Sequence, residues 1–60
     1  MVNIMFVSKL NDLDDIIKAL ENIKIICEKI SESSAIIIMP ENYFEIFSYT
    51  LEYFGKITII

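Results

Sequence analysis

An unbroken block of apolar residues at positions 35–39, AIIIM, most constrains how this chain can fold. The polar stretch SESS precedes the block and Pro40 follows it, so the block is too short for a helix of ordinary length. Apolar residues at consecutive rather than alternate positions are typical of a parallel strand covered on both faces. The block therefore predicts a buried strand in a parallel sheet.

Two further strands are predicted near the ends of the chain. Residues 4–7, IMFV, form an apolar and partly β-branched run that is followed by Ser8 and Lys9. Residues 56–60, KITII, form the second run. Both runs have the length and composition of short strands.

Helical spacing of apolar residues predicts two helices. In residues 12–31 apolar side chains recur every three or four positions, with Asn11 as the expected N-cap and three aspartates in the first turn, where the helix dipole favours negative charge. In residues 41–54, Pro40 suits the start of a helix, and Gly55 suits its end as a C′ residue in the left-handed conformation. The second helix is expected to be short and rich in aromatic residues.

These elements predict one α/β domain, residues 1–60, with a small three-stranded, mostly parallel sheet in β-α-β-α-β order and two helices. Two strand orders remain open. The order 2-1-3 covers both faces of the sheet and leaves exposed edges, whereas the order 1-2-3 puts both helices on one face. In the second case another chain must cover the free face.

The sequence offers neither a disulfide nor a Cys/His metal site to stabilise so small a domain. It contains one cysteine and no histidine, so an internal disulfide cannot form and a Cys/His zinc site has no set of ligands. A domain of this size buries only about 60% of its unfolded surface, yet 55% of its residues are hydrophobic. We therefore expect the fold to be completed by assembly into a homodimer or a higher homo-oligomer.

Three residues are candidates for an interface. Tyr49 and Tyr53 belong to a helix that carries six of the seven aromatic residues, and its apolar arc is too wide to bury against three strands. Ile25 falls in the polar half of the first predicted helix, as either an ordinary exposed apolar residue or a subunit contact. This pattern predicts that the second helix carries more of the oligomer interface than the first.

The chain offers little catalytic chemistry. Histidine is absent, and Cys27 lies on the apolar face of the first predicted helix, where we expect a buried and unreactive thiol. Gly55 is the only glycine, so no glycine-rich phosphate loop is present. The helix dipole accounts for Asp12, Asp14 and Asp15, whose spacing is not that of a calcium loop. We predict no enzymatic activity, no cofactor and no metal.

One ligand site remains as an alternative. Ser8 and Lys9 close the first predicted strand, and Glu41 and Asn42 follow the second, so all four would lie at the carboxyl ends of parallel strands. Ligands of open α/β sheets bind at such ends. The alternative is therefore a small-ligand-binding or enzymatic protein with a site between subunits, argued by analogy of fold.

The charge of the chain bears on which partners it can bind, and the absence of targeting patterns bears on its location. Nine acidic residues against five lysines give a net charge of −4, which opposes the basic surface that nucleic-acid binding requires. Residues 1–10 lack the pattern of a secretory signal, and no apolar run approaches the roughly 18 residues of a membrane span. A single unpaired cysteine suits a reducing compartment. We expect an acidic cytoplasmic protein that binds neither nucleic acid nor membrane.

Isoleucine makes up fourteen of the sixty residues, and arginine and glutamine are absent. This bias fits an A/T-rich genome or a thermophile. The missing catalytic groups and the surplus of apolar residues together favour a small non-enzymatic interaction or regulatory protein. We expect it to act as a homo-oligomer and to bind another protein.

Overall fold

A computed structural model describes every residue from Met1 to Ile60. The elements in chain order are β1 (Val2–Ser8), α1 (Leu13–Asn22), β2 (Ile26–Lys29), β3 (Ser34–Met39), α2 (Glu41–Phe54) and β4 (Gly55–Ile59). α1 has 10 residues and α2 has 14. Neither has the combination of length and apolar character that crossing a bilayer requires.

The four strands form one antiparallel sheet in the order β2-β3-β1-β4. β1 pairs with β3 on one side and with β4 on the other, and β2 pairs with β3 in a hairpin. The prediction of three mostly parallel strands is therefore wrong. The three predicted strands do lie in the relative order 2-1-3, but each pairs antiparallel with its neighbour, and β2 is added beside β3 at the edge. In each β-α-β unit a strand from the other unit lies between the two strands, which is the split β-α-β, or ferredoxin-like, topology.

The first helix ends nine residues earlier than its apolar spacing predicts. Lys24 adopts a left-handed conformation with φ 68°. Its backbone N–H donates to the carbonyl oxygen of Glu21 at 3.0 Å, and the N–H of Ile25 donates to that of Leu20 at 3.1 Å. These two bonds form a Schellman motif, which stops the helix and turns the chain back. The residues after it are free to form β2.

The polar stretch at residues 31–33 is the turn of the β2–β3 hairpin. The Ser31 and Ser34 hydroxyls lie 2.6 Å apart, and the Ser34 backbone N–H donates to the Ser31 hydroxyl at 3.1 Å. Serine hydroxyls stabilise turns through such local bonds. The hairpin pairs Ile26 with Ile38, so the second half of the predicted first helix is an edge strand.

Both helices pack on the same face of the sheet. On that face Ile4 and Phe6 of β1 and Ile37 and Met39 of β3 are fully buried. The helices add Leu13, Leu20 and Leu51 to the same core. Because side chains alternate along a strand, the residues between these buried positions point to the other face, which nothing in the chain covers.

Gly55 joins α2 directly to β4 and is not the left-handed residue that the sequence predicts. Its φ is −174°, an extended conformation, and it pairs with Ser8 of β1. A Cβ atom at this position would lie 2.8 Å from the Phe6 ring and would also collide with the Val7 carbonyl oxygen. Glycine is required here for close packing, so that α2 can pass into the sheet without a loop.

Candidate functional site

The uncovered face of the sheet is the largest candidate surface. Cross-strand pairing aligns Met5 with Ile36 at its centre, and Ile38 lies beside Ile26 of the edge strand. Ile36 and Ile38 are half-buried by their neighbours alone, and Ile26 is 58% exposed. The apolar residues of this face, called here the open face, are Met5, Val7, Ile26, Ile36 and Ile38.

Two opposite charges lie at opposite edges of the open face. Glu28 lies on β2 and is aligned through Ile36 and Met5 with Thr58 of β4. Lys56 lies on β4, two residues from Thr58 and opposite Val7. Both charged residues are exposed. The open face therefore has an apolar centre, an acidic group at the β2 edge and a basic group at the β4 edge.

A second exposed surface runs along α2. Phe44, Phe47 and Leu51 turn toward the core, and Ile46, Tyr49 and Tyr53 turn outward. Tyr49 is 81% exposed and Tyr53 is 78% exposed, so the structure leaves both predicted interface tyrosines at the surface. Tyr53 also makes an edge-to-face contact with Phe54, with ring centroids 5.3 Å apart.

A groove separates the two helices, because α1 packs on β2 whereas α2 packs on β4 and β1. The groove encloses about 580 Å³. Its walls are mainly apolar, and its charged lining residues are two carboxylates, Asp12 and Asp15. The apolar and hydroxyl lining is Ile16, Ala19, Leu20 and Ile23 from α1 and Phe47, Thr50, Leu51 and Phe54 from α2.

Asp12 has an unusual place in this groove. It is the N-cap of α1, one residue later than the expected Asn11, but its side chain makes no capping hydrogen bond. Its Oδ1 atom is buried and accepts no hydrogen bond from the protein. Buried carboxylate oxygens normally have donors, so no hydrogen bond within the chain compensates this oxygen of Asp12.

Asp14, by contrast, has a partner within the chain. Its Oδ1 lies 2.8 Å from the Lys29 ammonium group, and this pair links α1 to β2 across the protein surface. No group of three or more cysteine and carboxylate residues is arranged to hold a metal ion. Of the three aspartates at the start of α1, Asp14 therefore belongs to a surface ion pair, and Asp12 and Asp15 line the groove.

Ile25 lies elsewhere than the sequence predicts. It follows the end of α1 instead of lying on its polar half, and it is 2% exposed. Its side chain belongs to the core of its own subunit. A residue this deeply buried has little surface to offer a partner.

The structure separates the four residues of the predicted ligand loop. Ser8 is buried at one end of the sheet, where its hydroxyl donates to the Leu10 carbonyl oxygen at 2.9 Å, and Lys9 follows it. Glu41 and Asn42 follow Met39, which pairs with Val2 at the other end of the sheet. Because β1 and β3 are antiparallel, their carboxyl ends lie roughly 20 Å apart. The structure does not bring these residues together.

Cys27 lies on β2 instead of the first helix, and it is half-buried beneath α1. It pairs with the core residue Ile37. Burial, with a smaller contribution from the negative charge of Glu21, raises the pKa of its thiol to about 11. Since the thiolate is the nucleophile, this environment disfavours reaction near neutral pH.

The sequence left a free face of the sheet as one of two alternatives, but it did not place particular residues there. Ile36 and Ile38 are apolar like their buried neighbours, and the unbroken block was interpreted as a parallel strand covered on both faces. The same pattern also fits a sheet that is covered on one face by its own helices and on the other by another chain. The groove had no sequence signal, because it depends on how far apart the helices pack.

The comparisons with known proteins add no relative. No known family matches the chain, and no curated protein or solved structure is significantly similar to it.

Proposed function

We propose that this protein is a small non-enzymatic interaction protein that acts as a homo-oligomer, and that two copies join through their open faces. The observation that carries the proposal is the uncovered apolar centre at Met5, Ile36 and Ile38, in the middle strands of the sheet. Sheets of this kind pack face to face about 10 Å apart, with their side chains interdigitated. A second copy supplies a matching apolar face.

The size of the open face suits a dimer. The chain has 4155 Å² of accessible surface, and its principal extents are 27 × 19 × 18 Å. One broad face of such a body carries about a fifth of its surface, which is about the 800 Å² that each partner buries in a standard interface. The open face is therefore large enough to form a dimer interface of standard size.

The edge charges favour one arrangement of the two copies. A two-fold axis parallel to the strands places β2 over β4 of the other copy, so that Glu28 faces Lys56 of the partner subunit. The two positions are offset by two residues along the strands, about 7 Å, which a lysine side chain spans. An axis across the strands places β2 over β2 and brings like charges together, which opposes association.

The mass of the oligomer tests the proposal. Sedimentation equilibrium at about 100 µM is expected to give twice the chain mass of 7.0 kDa, and Ile36→Glu is expected to give a folded monomer because it buries a charge in the interface. Tyr49→Glu, on the far side of the molecule, is the control and should remain a dimer. A monomeric wild-type protein would contradict the proposal.

The two exposed tyrosines of α2 have a separate role in this proposal. Because Tyr49 and Tyr53 face away from the sheet, a face-to-face dimer leaves them exposed on its two outer sides. We propose that they contact another protein, since tyrosine is enriched at interfaces. If Tyr49→Glu dissociates the oligomer while Ile36→Glu does not, α2 forms the subunit interface, as the aromatic pattern of the sequence suggested.

The proposed location is the cytoplasm, on the ground that a single free thiol persists in a reducing compartment. Fractionation of cells that produce the tagged protein tests this location. Recovery in the soluble cytoplasmic fraction is the expected result.

A further inference from the structure

We propose that the groove between α1 and α2 binds a small amphiphile with an apolar body and a protonated amine head. The groove lies on the helix side of the molecule, so the proposal does not rest on dimerisation through the open face. Its volume of about 580 Å³ falls within the range of roughly 300–1,000 Å³ that is typical of small-molecule sites. The ligand class follows from the lining of the groove.

The apolar part of the lining selects the body of the ligand. Ile16, Leu20 and Ile23 form one wall, and Phe47, Leu51 and Phe54 form the other. Along α1 the distance from Asp15 to Ile23 is eight residues, or about 12 Å. An extended chain of eight carbons with its ammonium head is about 10 Å long, at roughly 1.5 Å per zigzag bond, and therefore fits within this length. Each methylene that it buries is expected to raise affinity about fourfold.

The charges of the lining select the head group. Asp12 and Asp15 both lie in the first turn of α1 or just before it, so the two negative charges share one end of the groove. No cation lines the groove to neutralise them. A protonated amine at this end meets two carboxylates, and the Thr50 hydroxyl is a further acceptor in the lining of the groove.

The helix dipoles do not oppose this assignment. The amino terminus of α1 carries a partial positive charge of about half an electron unit, but the carboxyl terminus of α2 lies at the same end of the groove and carries a similar negative charge. Their proximity is shown by the Lys9 backbone N–H, which donates to the Phe54 carbonyl oxygen at 3.0 Å. The last turn of α2 contains no basic residue. The two helix termini therefore offset each other, and Asp12 and Asp15 remain the charged residues that line the groove.

Asp12 supports the site because its side chain makes no hydrogen bond within the chain. An N-cap aspartate ordinarily accepts a hydrogen bond from the first turn of its helix, yet this one does not, and its buried Oδ1 has no donor. A cation beside this carboxylate would compensate the negative charge. The carboxylate without a hydrogen-bond partner therefore belongs to a residue that lines an apolar groove of ligand size.

Binding of octylammonium to the full chain tests the proposal, with octanol and octanoate as probes of the same length. Isothermal titration is expected to rank octylammonium at least tenfold tighter than octanol, with octanoate weakest. Hexylammonium is expected to bind about fifteenfold more weakly than octylammonium, at fourfold for each of two methylenes. Equal binding of the three octyl compounds, or none, would overturn the proposal.

Three variants separate the groove from general attraction to an acidic protein. Asp12→Asn is expected to lower octylammonium affinity about tenfold and to leave octanol unchanged, whereas Asp14→Asn removes the same charge outside the groove and is expected to change little. Ala19→Phe fills the groove from an exposed position and is expected to abolish binding of both probes. Equal losses in the two aspartate variants would indicate nonspecific binding and reject the site. A change of oligomer mass in Ala19→Phe would assign the groove to a subunit contact instead.

Discussion

The backbone N–H of Ile25 donates to the carbonyl oxygen of Leu20 at 3.1 Å, and both side chains lie in the core. This contact closes the Schellman motif at the end of α1, where a hydrophobic contact often accompanies the hydrogen bonds. It also directs the chain into β2, the edge strand that changes the sheet from the predicted three strands to four. The position of this one turn therefore determines the topology of the domain.

The turn places a lysine where glycine is usually found. Lys24 has φ 68°, a conformation that costs a non-glycine residue about 1–2 kcal/mol. Lys24→Gly removes this cost but adds flexibility to the unfolded chain, so we expect a net stabilisation of about 0.5–1 kcal/mol. Thermal unfolding at a fixed protein concentration should show a rise of several degrees in Tm. Lys18→Gly, at an exposed position inside α1, is the matched control and should destabilise by about 1 kcal/mol.

Gly55→Ala is expected to destabilise the protein, because the new methyl group would meet the Phe6 ring and the Val7 carbonyl oxygen. Overpacking of this kind costs about 1–3 kcal/mol. Urea unfolding followed by circular dichroism measures the change. Glu52→Ala, on the exposed side of α2, should shift the midpoint little. Equal stability of Gly55→Ala and the wild type would show that the junction between α2 and β4 is looser than described.

Charge reversal at the edges of the open face tests the orientation of the proposed dimer. Glu28→Lys should weaken the dimer by bringing its new positive charge near Lys56 of the partner subunit. Lys56→Glu should also weaken it, by bringing a negative charge near Glu28 of the partner subunit. The double variant restores opposite charges and should recover most of the loss, about 0.5–1 kcal/mol for each pair. Dissociation constants from sedimentation, measured at low and high salt, provide the test. Additive losses in the double variant would favour another axis.

Cys27 should react slowly with thiol reagents at neutral pH, because its pKa is raised to about 11. Labelling of the native protein is expected to accelerate about tenfold per pH unit between pH 7 and pH 10, as the thiolate fraction grows. Fast labelling at pH 7, similar to that of a free thiol, would contradict this environment.

The same thiol should make stability depend on alkaline pH. A thiol of the unfolded chain ionises near its ordinary value of 9.0, whereas the folded protein holds the proton up to about 11. The contribution is fully present below pH 9, and it is lost as the pH rises through this interval, because the unfolded state releases its proton first. Cys27→Ser should show a smaller decrease in stability between pH 9 and pH 11 than the wild type.

Local patterns determined much of the chain correctly. The helix predicted at residues 41–54 is confirmed as α2, and the apolar runs at 4–7, 35–39 and 56–60 coincide with β1, β3 and β4 to within a few residues. Each of these segments has a clear boundary, such as Pro40 before α2. Short apolar runs favour strands in three of these segments, and helical spacing of apolar residues favours a helix in the fourth.

Only the tertiary structure decided where α1 ends, how the strands pair and which apolar side chains form the core. Residues 23–30 have apolar positions compatible with either a helix or a strand, and no glycine or proline marks the turn at Lys24. The strand form prevails because Ile26 and Cys27 pair with β3 and Ile25 fills the core, contacts between residues distant in sequence. The same pairing leaves Ile36 and Ile38 on the open face. Sequence alone determines that those residues are apolar. Strand order and direction determine whether the helices of the same chain cover them or leave them exposed.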